Sequence, residues 1–386
     1  MKAIELFAGA GGLALGSAAA GFKHELVLEW NKDACRTIRE NINRGFSSVS
    51  SWKLIEGDVR AYSFSGTDGI DLVAGGPPCQ PFSIGGKHKG NQDHRNLFPE
   101  VVRAVRETQP KAILVENVRG LLREKFAKFF EYVCLQLTYP ELTQKRNEQW
   151  TEHLSRLEKL HTSGKCRGLS YNVVYRCVNA ADYGVAQKRF RVLIVGFRSD
   201  LGISWSFPEP THSAEALLHS QFVSGEYWER HRVPKRKRPS LPDAQKRRVE
   251  KLKSVLFPPQ EKPWRTVRDA LVDLPEPKAG IEHPDYYNHV LNLGARIYPG
   301  HTGSPLDEPA KTLKAGDHGV PGGENMMARP DGSVRYFTVR ESARLQSFPD
   351  DYVFQGSWTE AMRQIGNAVP VRLGEAITTS IRKRLA

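Results

Sequence analysis

Seven short apolar runs punctuate the first two hundred residues, each the length of a buried strand and none the length of a helix. They fall at residues 2–7, 25–29, 53–56, 70–74, 111–115, 172–177 and 191–197. Most end in turn-forming or small residues and lead into an amphipathic stretch, the pattern of a parallel sheet covered by helices. Asn31 is placed to cap a helix running to Asn41. Phe126, Phe129, Phe130, Val133 and Cys134 recur at helical spacing, as expected of a helix packed on the sheet. A polar insertion at 139–167 carries Trp150, Leu154, Leu157 and Leu160 at the same spacing. A helix packed on the body is preferred there over a partner site.

After Arg198 the composition changes. Residues 200–335 are rich in Pro, Gly, His and basic side chains, with no sustained period, which predicts a second, loop-rich domain. Helical patterning returns at 340–347, and a terminal helix is expected over 371–385. The expected division is therefore 1–198, 199–335 and a return of 336–386 to complete the first domain.

The chain carries 56 Lys and Arg against 43 Asp and Glu, a net charge of +13. Residues 230–253 hold eleven of these cations against only Asp243 and Glu250, so this one segment supplies +9 of that charge. Such a concentration fits a polyanion, because neutralised phosphates release counterions. A solvated loop is the plainer alternative. No apolar run approaches the ~18 residues of a membrane span, and the N-terminus lacks the regions of a signal peptide. Five cysteines without regular spacing argue against a disulfide framework and for a reducing cytoplasm. No metal site is expected.

Phe7-Ala8-Gly9-Ala10-Gly11-Gly12-Leu13-Ala14 follows the first strand and opens a helix. Gly9-x-Gly11-x-x-Ala14 satisfies the fingerprint in which glycines let a ligand approach the backbone at a helix N-terminus. Glu29 closes the second strand, where an acid grips ribose hydroxyls, and Asp58 after the third is placed to accept from an adenine amine. Nicotinamide dinucleotides and S-adenosylmethionine both fit such an adenosine pocket. Glycines serving only a tight turn are the alternative.

Gly75-Gly76-Pro77-Pro78-Cys79-Gln80-Pro81-Phe82-Ser83 follows the fourth strand, at the edge where open α/β sheets bind ligands. Two prolines stiffen the chain just before a thiol, as suits a nucleophile. Glu116-Asn117-Val118 ends the fifth strand, Gln187-Lys188-Arg189-Phe190-Arg191 leads into the seventh, and Gln364–Pro370 adds a polar turn. A thiol, a carboxyl and two guanidiniums thus converge on one sheet edge.

In these blocks and in their order the chain resembles the DNA (cytosine-5) methyltransferases over nearly its whole length. Arg340-Glu341-Ser342-Ala343-Arg344-Leu345-Gln346-Ser347-Phe348-Pro349-Asp350 is a further matching block. The resemblance implies an α/β, Rossmann-like S-adenosylmethionine-dependent methyltransferase domain, a smaller target-recognition domain and a DNA cleft between them. It assigns nucleophilic attack on cytosine carbon 6 to Cys79 and proton donation at nitrogen 3 to Glu116. Arg189 is expected to hold the carbonyl oxygen of the base, with Arg191 in support. Carbon 5 is a poor nucleophile until the thiolate adds at carbon 6, which is why the chemistry needs a covalent step. A stacked base hides that face, so the cytosine has to be flipped out.

For the cofactor, S-adenosyl-L-methionine with S-adenosyl-L-homocysteine as product, the resemblance implies Phe7, Gly9, Gly11, Gly12 and Leu13 at the first loop. Glu29, Trp30, Asp58, Val59, Pro78, Leu97, Asn367 and Val369 complete the implied set. DNA contacts are expected from Ser83, Thr312, Arg236, Lys237 and Arg238; Gly85 stands where some members have a Ser that holds the flipped base. The implied partners are double-stranded DNA and a cognate restriction endonuclease. The protein is expected to be a monomer in a prokaryotic cytoplasm, associated with the nucleoid.

Amino-directed methyltransferases are disfavoured, because Gly76 and Cys79 stand where those enzymes need a polar residue and an aromatic. The tRNA-methylating offshoot usually carries a Cys-Phe-Thr element in its second domain, and residues 199–335 contain no cysteine. A nicotinamide-dependent oxidoreductase accounts for Gly9–Ala14 but not for Cys79 with Glu116. A silent DNA-binding regulator is disfavoured because the motif residues are all present.

Overall fold

The seven apolar runs become the seven strands of one sheet: β1 (Lys2–Leu6), β2 (Lys23–Glu29), β3 (Leu54–Glu56), β4 (Leu72–Gly75), β5 (Ala112–Val118), β6 (Tyr171–Asn179) and β7 (Phe190–Arg198). Their order is β3-β2-β1-β4-β5-β7-β6. β1 pairs parallel with β2 and β4, β2 with β3, and β4 with β5. β7 departs from the parallel pattern and runs antiparallel to β5, with Val118 opposite Arg191. Only residues 180–189 link it to β6, too little for a helical crossover, which takes about a dozen residues. The strand order reverses between β1 and β4, the switch point beyond which open α/β sheets hold their ligands. Gly75 permits the pairing there, since a Cβ would lie 2.6 Å from the Leu6 carbonyl oxygen.

This computed structural model describes residues 1–78, 96–299, 302–315 and 325–386. They divide into two compact units, one of Met1–Val178, Phe190–Pro208 and Gly374–Ala386, the other of Asn179–Arg189 and Glu209–Leu373.

In the first unit the sheet is covered by α1 (Gly12–Ala19), α2 (Lys32–Asn43), α3 (Phe98–Thr108), α4 (Ala127–Thr138) and α5 (Trp150–Ser163). Asn31 caps α2 as expected, its Oδ1 accepting from the Ala34 amide at 2.9 Å. Ile4, Leu6, Val73, Ile113, Val115 and Val192 of the sheet form one core with Phe98, Val105, Phe129 and Val133 of the helices. The insertion packs on this core through Leu154 and Leu157. Two tyrosine–histidine bonds pin α5: Tyr132 Oη to His153 Nδ1 and Tyr139 Oη to His161 Nδ1, both 2.9 Å.

The second unit holds α6 (Ala214–Phe222), α7 (Glu226–Arg230), α8 (Asp243–Ser254), α9 (Val267–Leu271), α10 (Val339–Leu345) and α11 (Trp358–Asn367), joined by short strands and loops. α8 was not expected. Only Val249 of its residues is buried, so its sequence shows no apolar stripe. A small core of Leu217, Tyr227, Trp228 and Val233 anchors this part. Tyr227 donates to Asp307 at 2.8 Å, and Arg268 grips the same carboxylate at 2.6 and 3.0 Å. The chain ends in α12 (Val371–Leu385), as expected. Its Gly374 lies against Leu13 of α1, and Thr378 donates to the Gly16 carbonyl at 3.4 Å.

Candidate active site

The loop after β1 takes conformations that few side chains tolerate. Phe7 lies at φ 56°, Gly9 at 55° and Gly11 at 82°, three alternate left-handed positions at which a bulky residue such as Phe7 is strained. Gly9 has open space where a Cβ would stand. Gly11 caps α1, so the helix starts with its amide groups beside this loop. Gly12 and Leu13 are its first residues, and Leu13 is only 4% exposed.

Glu29 ties this edge together. Its Oε2 accepts from the Gly9 amide at 2.6 Å and its Oε1 from the Trp30 and Asn31 amides at 2.9 and 2.7 Å. Burial raises the carboxyl's pKa, and the three amides pull it back. The Trp30 indole is 70% exposed, a free aromatic face beside that carboxylate. Asp58 is clasped by Arg60, Oδ1 and Oδ2 to Nε both at 3.0 Å, and this contact lowers its pKa. An ionised Asp58 is an acceptor only, as an exocyclic amine requires. Val59 is buried in the core and Leu97 stands half-buried at the start of α3. The loop, the two carboxylates and the indole fit an adenosyl group carrying a polar tail.

At the ends of β4 and β5 lies the second cluster. Glu116, 7% exposed, receives the Arg191 guanidinium, Nε to Oε1, at 2.6 Å. Asn117 donates from Nδ2 to the Pro77 carbonyl at 3.0 Å, tying the segment that leads to Cys79 onto β5. Gly76 sits so close to Glu116 that a Cβ would lie 3.0 Å from Oε2. Pro78 is half-buried. Cys79, Ser83 and Gly85 lie outside the described residues. Burial pushes the Cys35 and Cys134 thiols up to about 12, away from the thiolate a nucleophile needs.

Arg189 is engaged by main chain. It is fully buried in the second unit, donating to the Leu313 carbonyl at 3.1 Å and to the Gly366 and Ala368 carbonyls at 2.6 and 3.0 Å. The expected order of the two arginines therefore changes: Arg191 meets the carboxylate, and Arg189 braces main chain. Gln187 Oε1 accepts from the Leu313 amide at 3.1 Å, and Thr312 donates its hydroxyl to the Lys188 carbonyl at 2.7 Å. Asn367 is exposed at the end of α11, while Val369 is 6% exposed. Arg340 is likewise buried, on the carbonyls of Tyr287, Pro349 and Tyr352, so that block is architectural. Arg236 and Lys237 are exposed, and Arg238 donates to the Val233 carbonyl at 3.1 Å.

Comparison with known proteins decides what this edge belongs to. The family model described as C-5 cytosine-specific DNA methylase matches residues 1–139 and 140–383. The chain belongs to that family. It is a DNA (cytosine-5) methyltransferase. Among its relatives, the type II methyltransferase M.NgoMIV of Neisseria gonorrhoeae is 33% identical over 385 residues, spanning 99% of this chain and 97% of the relative. The type II methyltransferase M.Eco47II of Escherichia coli is 34% identical over 387 residues, spanning 98% of this chain and 78% of the relative. The S. pombe Dnmt2 methyltransferase structure shares the fold at a TM-score of 0.54 and 16% identity, covering 100% of this chain and 99% of its own.

For a cytosine-5 methylase the two clusters supply complementary chemistry at one sheet edge. One is a backbone cradle with two acceptors, the other a carboxyl held by a guanidinium. Asn117 is the residue that sequence reasoning passed over. Its signal was an amide next to the acid at a strand end, but its partner Pro77 is forty residues away. Among the described residues no cluster of His, Cys, Asp or Glu is built to hold a metal ion, and no helix is long and apolar enough to cross a membrane.

Proposed function

We propose that the protein flips a cytosine out of a short recognition sequence in duplex DNA and methylates its carbon 5 through a covalent adduct of Cys79. The observation that supports this reading best is the Glu116–Arg191 pair beside the segment that Asn117 fastens in front of Cys79.

In this reading the Cys79 thiolate forms a bond to carbon 6, and the electron pair of the ring's 5,6 double bond moves toward nitrogen 3. Glu116 delivers a proton there, leaving carbon 5 as the nucleophilic end of an enamine. Arg191 holds the carbonyl oxygen of the base and orients Glu116; Arg189 keeps the surrounding chain in place. S-adenosyl-L-methionine, when bound, supplies an electrophilic methyl on a sulfonium centre for that carbon. Loss of the carbon 5 proton to a base then restores the 5,6 double bond and expels Cys79 as thiolate, and the nitrogen 3 proton returns to Glu116. The loop of Phe7, Gly9, Gly11, Gly12 and Leu13 holds the cofactor with Glu29, Trp30 and Asp58. Val59, Pro78, Leu97, Asn367 and Val369 complete its surroundings.

Residues 199–335 choose the target sequence, and 336–386, of which Gly374–Ala386 belong to the first unit, complete the catalytic part. Ser83, Thr312, Arg236, Lys237 and Arg238 contact the DNA backbone, which positions the duplex without specifying its sequence. Two relatives carry the name type II methyltransferase, and this chain is read likewise as the modification enzyme of a restriction–modification system, paired with an endonuclease for the same site. It acts as a monomer in the prokaryotic cytoplasm, at the nucleoid. Incubating pure protein with duplex DNA and methyl-labelled cofactor, then digesting to nucleosides, tests the reading. Label in 5-methylcytosine supports it; label at the exocyclic amine or in RNA alone overturns it.

A further inference from the structure

We propose that residues 232–257, with α8 among them, form a DNA-engaging arm, in which exposed cations hold phosphates and Leu256 and Phe257 enter the duplex as an apolar wedge. The proposal rests on the reading above and extends it to residues that no catalytic step uses.

Several cations of this segment are spoken for. Arg230 pairs with Asp269 at 2.8 Å, Lys246 with Asp243 at 2.6 Å, Lys253 with Glu250 at 2.8 Å, and Arg248 with Glu215. Arg232, Lys235, Arg236, Lys237, Arg247 and Lys251 are exposed and make no ion pair among the described residues. Arg247 and Lys251 stand on α8, whose other side is anchored, and the remaining four precede it. Gln245, Val249 and Leu252, at helical spacing, are its less exposed positions, and Val249 is wholly buried.

The helix then stops at Ser254, and Val255 turns extended at φ −82° and ψ 143°. Leu256 and Phe257 follow, 86% and 71% exposed, the two most exposed large apolar side chains among the described residues. Pro258 and Pro259 come next and stiffen the tip. A soluble chain normally buries such a pair. Duplex DNA offers the two complements together, phosphates for the cations and the base stack for the wedge. Apolar side chains pushed between base steps unstack them and kink the duplex. An anionic membrane would need an apolar helical face, and the inward face of α8 is already used by its own unit.

The test is a non-target duplex labelled with a dye pair at its ends, titrated across salt concentrations and read for affinity and end-to-end energy transfer. The wild type is expected to bind and kink it. Leu256→Ser/Phe257→Ser should keep the salt slope, lose the kink and bind roughly tenfold more weakly. Replacing Lys235, Arg236, Lys237, Arg247 and Lys251 by Ala should flatten the slope by about four. An unkinked duplex with the wild type, an apolar variant that matches it, or an unchanged slope in the Ala variant overturns the proposal. So does wild-type capture of phosphatidylserine vesicles that only the apolar variant loses, with duplex binding unaltered. Methyl transfer to target DNA is assayed on the same preparations. Kinking without transfer would defeat the methyltransferase reading and leave the arm standing.

Discussion

Nε of Arg191 stands 2.6 Å from Oε1 of Glu116, with both side chains about nine-tenths removed from solvent. The contact crosses from β7 to β5 because β7 runs antiparallel there, bringing Arg191 opposite Val118 and diagonal to Glu116. A parallel partner in its place would carry a different residue to that carboxylate.

The first prediction separates the two arginines. Arg191→Ala should lower kcat by about a hundredfold or more, the usual consequence of losing one donor aimed at the reacting base, with cofactor affinity unchanged. Arg189→Met should instead destabilise the fold by about 3 kcal/mol or more, since three buried carbonyls lose their donor. Chemical unfolding and steady-state rates on both variants check this.

A second concerns close packing at the glycines. Gly76→Ala should cut kcat about tenfold with little change in Tm, because the Cβ presses on a Glu116 oxygen that has limited room to move. Gly366→Ala should be unstable, because its Cβ would lie 2.6 Å from the Ala315 amide nitrogen, which is main chain. Paired activity and thermal melting distinguish the two.

Asn117→Ala should reduce turnover about tenfold while S-adenosylmethionine binding, read by calorimetry, stays at the wild-type level. The lost bond runs to the Pro77 carbonyl, so the effect falls on the segment before Cys79 and not on the β1 loop.

His24 carries a pH dependence of stability. Buried against Trp52, with Nε2 3.1 Å from the Ser17 hydroxyl, its pKa is pushed down to about 4. Its unfolded value is about 6.5, so the unfolded chain binds the extra proton between those values. Stability is therefore full above about pH 6.5 and falls as pH drops toward 4, by about 3 kcal/mol in all. Urea midpoints across that range should show the slope, and His24→Gln should flatten it.

How much of this was legible in the sequence depends on how far apart the interacting groups lie. The seven strands, α2 with its Asn31 cap and the α5 stripe were legible because each is a local pattern. The direction of β7 was not, since an apolar run has no polarity. Arg189 and Arg191 could not be told apart, because the carbonyls that take Arg189 lie 124 to 179 residues along the chain. α8 was hidden for another reason: a helix that buries only Val249 leaves no period to read.

The most direct measurement is bisulfite sequencing of plasmid recovered from cells expressing the wild type or Cys79→Ser. The account predicts protected cytosines at one short recurring sequence with the wild type and none with the variant. Protection that survives in Cys79→Ser, or soluble wild-type protein that protects no cytosine, would contradict it.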